Sequence, residues 1–415
     1  MSAWGAFIGL LVSIFLIIRK VSPVYSLILG ALVGGLLGGV SLPETISLMI
    51  SGVNDVTPAV IRILTAGVLS GILVKTGAAA SISNTIIYRL GERHVFFALA
   101  FATMLLTAIG VFIDVAVITV APIALSIGRK LAVPRGSLLL MMIGGGKCGN
   151  IISPNPNTII AAENFHADLY SVMYANLIPA LVGLLFTVYV IGRFLPRQNG
   201  FYANEEIDNL QADLPSFASS MVAPVVTILL LSFRPLFHVA IDPMIALPVG
   251  GIVVSLAMRK WSLITDSLSY GLKKMSNVSI LLVGTGTIAG VIKASSIKDV
   301  LLDALSHTNM GELLLAPVSG VLMSAATAST TAGATVASSS FADIIIAAGI
   351  SGVWGAAMIN SGATVLDHLP HGSFFHATGG VADISIRERL RLIPYETAIG
   401  AILAVGTIIA YLTVN

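Results

Sequence analysis

Residues 144–158 have the sequence GGGKCGNIISPNPNT, a polar and irregular stretch inside the apolar region 136–164. Pro154 and Pro156 lack the amide donors that a regular helix needs, so we predict that the helix over 136–164 is broken here. An unsatisfied backbone group is costly in lipid, and irregular backbone at membrane depth persists only where it is buried in protein or lines a cavity. The break is therefore predicted to border a binding site.

The composition places this break inside a membrane. Charged residues make up 10% of the 415 residues and apolar residues 56%, whereas soluble domains carry about 25% charged residues. A soluble protein could not cover this much apolar surface, which excludes a soluble enzyme, a nucleic-acid-binding protein and a disordered chain. One cysteine, Cys148, excludes an intrachain disulfide framework and a multi-thiolate metal site. The predicted class is an all-α polytopic membrane protein.

The apolar stretches predict two halves with the same number of transmembrane helices and hairpins. Ten stretches qualify as membrane helices, near 3–18, 24–40, 57–75, 136–164, 170–192, 219–239, 243–258, 276–293, 349–377 and 392–414. Two further regions, near 95–128 and 312–347, are too long for one crossing and polar at their centres. We predict that each of these two is a re-entrant hairpin, and two complete spans are the alternative. The polar segment 196–218 is the predicted inter-repeat loop. The repeats are then 1–195 and 219–415, each with five transmembrane helices and one hairpin.

The two halves are predicted to be inverted, because five crossings make the second half enter the membrane from the opposite side. They also share local sequence features: GVLSG at 67–71 precedes the first hairpin, and GTIAG at 286–290 precedes the second. A second polar break, NSGATVLDHLPHGS at 360–373, interrupts the helix predicted over 349–377. Inverted repeats with discontinuous helices in matching positions are typical of secondary transporters, whose site lies between the breaks.

The basic residues predict the orientation in the membrane. With the N-terminus outside, most of the 22 Lys and Arg residues fall on the inner side, Lys274 among them, as the positive-inside rule requires. The first apolar stretch, near 3–18, has no basic region before it and no small-residue cleavage site after it, so we expect a retained helix rather than a cleaved signal. We therefore expect a bacterial inner-membrane protein with both termini outside.

Polar residues at the two breaks and at the second hairpin turn form the predicted substrate site. Half-helices that end at a break direct amides towards an anion and carbonyls towards a cation, which suits a small carboxylate. Three consecutive hydroxyls at the hairpin turn are predicted to bind the hydroxyls or carboxylate of a polyol acid, and close helix packing is their alternative role. The predicted substrate-binding residues are Asn155, Asn157, Thr158, Ser329, Thr330, Thr331, Asn360, Ser361, Thr364, His371 and Lys147.

Ionisable residues near these positions are predicted to couple transport to protons. Asp114 lies at the centre of the first hairpin, and a carboxylate in an apolar run marks a functional position by default. A structural ion pair, most plausibly with the intramembrane Lys147, is the alternative for Asp114. Histidine changes charge near neutral pH, so His368 and its neighbour Asp367 are further coupling candidates, and a packed histidine is the alternative. We predict no cofactor and no metal site; H⁺ is the expected coupling ion and Na⁺ the alternative.

Two segments carry distinctive combinations of features. The segment 153–196, SPNPNTIIAAENFHADLYSVMYANLIPALVGLLFTVYVIGRFLP, has a Pro-rich break, a short acidic linker and a helix ending in basic residues. The segment 363–401, ATVLDHLPHGSFFHATGGVADISIRERLRLIPYETAIGA, has a histidine before a polar turn and a last helix opening with Glu396-Thr397. In these features both segments resemble the gluconate permease (GntP-type) family. FIDVAVITVAPIALSIGRKLAVP (112–134) is more distantly similar to the ion transporter superfamily, whose Ser-Asn-Thr hairpin tip is replaced here by Ile113-Asp114-Val115.

The resemblance implies a scaffold domain and a mobile transport domain of hairpins and broken helices, in a homodimer that works by an elevator motion. It also implies proton-coupled uptake of gluconate or a related sugar acid, with the lipid bilayer as surroundings and no nucleic-acid partner. Sodium-coupled symport of a di- or tricarboxylate is the alternative within transport. We predict no enzymatic activity, because the sequence has no paired-histidine metal motif and no Ser/His pair at an informative spacing. A channel would predict uptake that does not saturate.

Overall fold

The chain is helical throughout the part that the structure describes. The computed structural model describes residues 1–195, 214–233, 241–296, 300, 311–370 and 372–414. The first half contains α1 (Ala3–Ile18), α2 (Pro23–Leu37), α3 (Leu42–Lys75), α4 (Ala78–Leu90), α5 (Val95–Ala108), α6 (Ile113–Leu131), α7 (Arg135–Asn150), α8 (Pro156–Asn164), α9 (Leu169–Ala175), α10 (Leu177–Leu185) and α11 (Gly192–Phe194). The second half contains α12 (Phe217–Ser220), α13 (Val222–Leu231), α14 (Pro243–Ala257), α15 (Ile264–Lys293), α16 (Gly311–Thr327), α17 (Thr330–Ala347), α18 (Gly352–Gly362), α19 (Ser373–Val381) and α20 (Ile386–Val414). The prediction of an all-α fold is confirmed.

Several of these helices have the length and apolar character of membrane spans. Within the described residues, four continuous segments qualify: Leu42–Lys75, Leu169–Phe194, Trp261–Lys293 and Ile386–Val414. Other apolar helices, among them α1 and α2, are shorter than the about 20 residues of a straight crossing. The predicted number of five crossings in each half therefore stays a prediction.

Both regions predicted as hairpins are pairs of packed helices joined by a short turn. In the first hairpin, α5 and α6 are joined at 109–112, where Gly110 has φ +102, a left-handed conformation that glycine adopts without strain. In the second hairpin, α16 and α17 are joined at 328–329. A broken helix follows each hairpin, so the elements occur in the same order in both halves. The inverted symmetry, the domain limits and the depth of the hairpins in the membrane stay predictions.

Each predicted broken helix is interrupted where the sequence placed the break. The first interruption lies between the end of α7 at Asn150 and the start of α8 at Pro156, where proline suits the first turn of a helix. Asn155 caps α8, because its side chain accepts a hydrogen bond from the Thr158 amide. The second interruption separates α18 from α19. At the first break, a proline and a capping asparagine thus restart the helix.

Two long helices begin much earlier than the sequence predicted. The span expected over 57–75 belongs to α3, which starts at Leu42, and the span expected over 276–293 belongs to α15, which starts at Ile264. At 1.5 Å per residue the 34 residues of α3 extend about 51 Å, against about 30 Å for a hydrocarbon core. An apolar window detects only the part of such a helix that suits lipid, so hydropathy misses its polar extension.

The helices pack into two groups. One group, here named the glycine bundle, consists of α1, α2, α3, α13, α14 and α15. The other, here named the hairpin bundle, consists of α5–α10 and α16–α20 and contains both hairpins and both broken helices. Within the glycine bundle, α3 and α15 approach so closely that a Cβ added to Gly52 would lie 2.1 Å from the carbonyl oxygen of Gly286. Glycine is therefore needed at this helix crossing.

Substituting Gly52 by Ala is expected to lower the free energy of unfolding by about 1–3 kcal/mol, because the new methyl group meets backbone atoms that must move. Gly380→Ala is the matched control, since a Cβ there has no neighbour within 4 Å and the residue lies in α19. Thermal unfolding of the purified protein in detergent measures both variants. A Gly52→Ala protein as stable as the control would contradict close packing between α3 and α15.

An ion cluster also connects the two bundles. Arg62 of α3 donates hydrogen bonds to Asp242, at 2.7 Å from Nη2 to Oδ2, and to the carboxylate of Glu163 on α8. Asp242 at the same time caps α14 by accepting from the Met244 amide. These contacts bring the end of the first broken helix against the glycine bundle.

Candidate functional site

A cavity of about 720 Å³ lies where the hairpin turns and the second helix break face the glycine bundle. Ligand pockets of about 300–1,000 Å³ are usual for small molecules. The polar or charged lining residues are Ser22, Asp114, Asn150, Lys274, Asn277, Thr327, Ser329, Thr330, Thr331, Asp367 and Ser373. The cavity combines a cation, two carboxylates, amides and hydroxyls, which are the groups that bind a polar carboxylic acid.

A buried ionic cluster stands behind one wall of this cavity. Lys147 on α7 donates to the carboxylate of Asp367 and to the carbonyl oxygen of Thr364, and its Nζ lies 3.1 Å from Nδ1 of His368. The Lys147 side chain is 0% exposed and that of Asp367 3% exposed. A buried charge is tolerated only when it is paired, so this ion pair joins the first broken helix to the second break.

His368 contacts the buried ion pair through one ring nitrogen and α20 through the other. Nδ1 lies 3.1 Å from both the Lys147 ammonium and the Asp367 carboxylate, so it accepts from the first or donates to the second according to the tautomer. Nε2 is 3.2 Å from the Ile393 carbonyl oxygen and 3.1 Å from the Thr397 hydroxyl. His368 therefore links the buried ion pair to α20.

The hydroxyls of the second hairpin turn connect that hairpin to both breaks. Thr330 donates to Asp367 with an oxygen–oxygen distance of 2.5 Å, and the Thr331 hydroxyl lies 3.4 Å from the side-chain oxygen of Asn157. Ser329 caps α17 by accepting from the Ala332 amide. All three residues line the cavity, and each also makes one of these contacts within the protein.

Side-chain amides join the two helix breaks directly. Asn157 donates to the side-chain oxygen of Asn360 at 2.7 Å, and Asn360 donates to the Thr158 hydroxyl at 3.0 Å and to the Ile151 carbonyl at 3.3 Å. Asn155 donates in turn to the Asn150 carbonyl. These bonds satisfy polar groups that the irregular backbone would otherwise leave unpaired, as a membrane interior requires.

The structure divides the predicted site residues into two sets. The residues that line the cavity are Asp114, Ser329, Thr330, Thr331 and Asp367. The residues that lie behind it, buried and bonded within the hairpin bundle, are Lys147, Asn155, Asn157, Thr158, Asn360, Ser361, Thr364 and His368. His371 lies outside the described residues. Contact of any of them with substrate stays a prediction.

The alternative partner proposed for Asp114 is wrong. Asp114 begins α6 at the first hairpin turn and faces α15, where its carboxylate lies 3.5 Å from Nζ of Lys274. Lys147 pairs instead with Asp367, 220 residues further along the chain. The error arises because the sequence places Lys274 in an inner loop and leaves Lys147 as the lysine expected inside the membrane, whereas α15 extends back to Ile264 and brings Lys274 to the first hairpin turn.

Six polar or charged residues of the cavity lining are not predicted from the sequence: Ser22, Asn150, Lys274, Asn277, Thr327 and Ser373. The sequence places Lys274 in an inner loop because the predicted span begins at residue 276, whereas α15 extends back to Ile264. On a helix, Lys274 and Asn277 are three residues apart and lie on one face. That spacing is the signal from which they could have been found, given the correct start of the helix.

In comparisons with known proteins, the chain matches a permease family and proteins that are named as transporters. The family model described as "GntP family permease" matches residues 1–414. A Haemophilus influenzae protein named "uncharacterized transporter" is 52% identical, over 97% of this chain and 96% of its own length. A high-affinity gluconate transporter of Escherichia coli is 22% identical, over 89% of this chain and 90% of its own.

More distant matches extend this comparison. The D-serine transporter DsdX of Escherichia coli is 22% identical, over 78% of this chain and 79% of its own. Among solved structures, the YdaH transporter of Alcanivorax borkumensis is similar with a TM-score of 0.63 and 13% identity, over 89% of each chain. At that identity the likeness concerns the fold alone.

Proposed function

Because the chain belongs to the GntP family of permeases, we propose that it carries gluconate or a related sugar acid into the cell by proton-coupled symport. Membership confirms the resemblance predicted from 153–196 and 363–401. It makes the chain an integral membrane permease rather than an enzyme, with relatives that transport gluconate and D-serine. The observation that carries the proposal is the cavity between the hairpin turns and the glycine bundle.

The chemistry of the cavity suits a small hydroxylated carboxylate. Lys274 supplies an ammonium group, and Thr330, Thr331, Asn150 and Asn277 supply hydroxyl and amide groups. Such groups bind the hydroxyls of a sugar acid, while the ammonium binds its carboxylate. A volume of about 720 Å³ leaves room for the substrate and for water.

The proposed transport cycle moves the hairpin bundle against the glycine bundle in an elevator motion. The cavity lies on the boundary between the bundles, so a displacement of one bundle would change the side from which the cavity is reached. Asp114, Asp367 and His368 are the proposed coupling residues. We further propose a homodimer in a bacterial inner membrane with both termini outside.

Uptake into proteoliposomes tests this function. Labelled gluconate is added outside, first with an inward proton gradient and no sodium, then with a sodium gradient and no pH difference. Accumulation driven by the proton gradient is the expected result. Accumulation with sodium alone would replace proton coupling by sodium coupling. A wild-type protein that accumulates D-serine and not gluconate would overturn the sugar-acid assignment.

A further inference from the structure

Three charged side chains line the cavity within the described residues: Asp114, Lys274 and Asp367. Asp367 is held by Lys147 and Thr330. The Asp114–Lys274 pair is looser, with 3.5 Å between Nζ and Oδ2 and with 33% and 37% of the two side chains exposed. This pair also joins the bundles, since Asp114 belongs to α6 and Lys274 to α15.

The proposed function needs a cation that can receive the substrate carboxylate, and the two lysines differ in this respect. Lys147 is fully buried behind the wall, and its ammonium group already donates to the Thr364 carbonyl and the Asp367 carboxylate and contacts His368. Lys274 opens onto the cavity and contacts Asp114 at the limit of hydrogen-bonding distance. A carboxylate entering the cavity can therefore reach the Lys274 ammonium.

We propose that Lys274 binds the carboxylate of the transported anion and that Asp114 is its exchangeable counter-ion, so that a proton taken up by Asp114 releases Lys274 to the substrate. This inference rests on the proposed function and assigns the carboxylate-binding residue of that site. The sequence analysis predicts substrate binding by Lys147, and this inference assigns the carboxylate-binding role to a lysine of the other bundle instead.

The charges balance in both states of the exchange. In the empty cavity the Asp114 carboxylate neutralises the Lys274 ammonium. After the exchange, Asp114 is a neutral acid and the substrate carboxylate neutralises Lys274, so one proton enters with one monoanion. A carboxylate entering without the proton would leave two carboxylates sharing one ammonium, and like charges at short range repel. Substrate and proton thus favour each other's binding, as symport requires.

Other charged groups face this pair and belong to its environment. Tyr270, one turn before Lys274 on α15, lies within electrostatic range of both Asp114 and Lys274. Lys75 of α3 lies over the Tyr270 ring at 5.3 Å. Asp367 faces the same cavity from the second break, with Lys147 behind it. None of these is exchanged in the proposed step.

Lys274→Gln and Lys273→Gln form a matched pair of variants for the test. Both are on α15 and remove the same charge, but Lys273 is exposed and does not line the cavity. In proton-driven gluconate uptake, Lys274→Gln is expected to raise KM by about tenfold or more, because a charge-assisted hydrogen bond is lost. Lys273→Gln is expected to leave KM unchanged. Lys274→Arg keeps the cation and is expected to retain most of the affinity.

Asp114→Asn tests the exchange itself. Asparagine leaves Lys274 without a negative partner at any pH, so we expect the KM for gluconate exchange to lose its dependence on pH while proton-driven accumulation is abolished. Size-exclusion profiles and thermal unfolding of each variant establish that it is folded. If wild-type protein transports gluconate and Lys274→Gln has the same KM as Lys273→Gln, the inference is wrong and the proposed function stands. A wild type that takes up no gluconate under either gradient would overturn both.

Discussion

Replacing Lys147 by Met is expected to abolish gluconate uptake and to lower the free energy of unfolding by about 3–5 kcal/mol, because Asp367 would be left buried with an uncompensated charge. Lys147 and Asp367 are 0% and 3% exposed, so water cannot replace the lost ammonium. Lys147 also donates a hydrogen bond to the Thr364 carbonyl and contacts His368. Its loss therefore removes contacts with three residues of the second break. Thermal unfolding in detergent and uptake into proteoliposomes measure the two effects.

The double variant Lys147→Met with Asp367→Asn separates stability from transport. Removing both charges of a buried pair is much less harmful than removing one, so we expect most of the lost stability to return. Uptake is not expected to return, because Asp367 lines the cavity and is a proposed coupling residue. A double variant that folds and transports like wild type would reduce this pair to a structural role.

The sequence predicted the helix breaks well because their causes are local. Proline removes an amide donor at its own position, and asparagine caps the helix that follows, so the break at 144–158 is visible without a fold. The hydroxyls at 329–331 are also visible from the sequence alone, because they are three consecutive polar residues inside an apolar region. The second break, at 360–373, was found from its polar composition inside an apolar region.

The pairing of charges was not predictable in the same way, because it depends on contacts between distant helices. Lys274 and Asp114 are 160 residues apart, and Lys147 and Asp367 are 220 residues apart. Charge type alone allows either lysine to serve Asp114. The partners are determined by the position of α15 beside the first hairpin turn and of α7 beside the second break. The position of Lys274 in the cavity is harder still to predict, because its helix extends beyond the apolar window.

Arg389→Ala is expected to be about as destabilising as Lys147→Met, with a loss of about 3–5 kcal/mol, because it leaves Glu396 buried without its partner. The two side chains are 1% and 0% exposed, and the Arg389 guanidinium donates one hydrogen bond to each carboxylate oxygen of Glu396 within α20. The guanidinium also lies 4.9 Å from the Phe375 ring centroid, and Nε is 3.4 Å from the Phe375 carbonyl oxygen. The pair therefore fastens α19 to the last helix.

Arg389→Met with Glu396→Leu is expected to restore both stability and uptake, unlike the double variant at Lys147 and Asp367. Neither residue lines the cavity, so apolar side chains of similar volume can fill their place without removing a transport group. Glu396 precedes Thr397, whose hydroxyl contacts His368, so α20 must remain in register for uptake to return. Thermal unfolding and uptake, measured on the same preparations, distinguish a structural role of the pair from a role in transport. A stable double variant without uptake would show that the Arg389–Glu396 pair contributes to transport as well as holding α19 against α20.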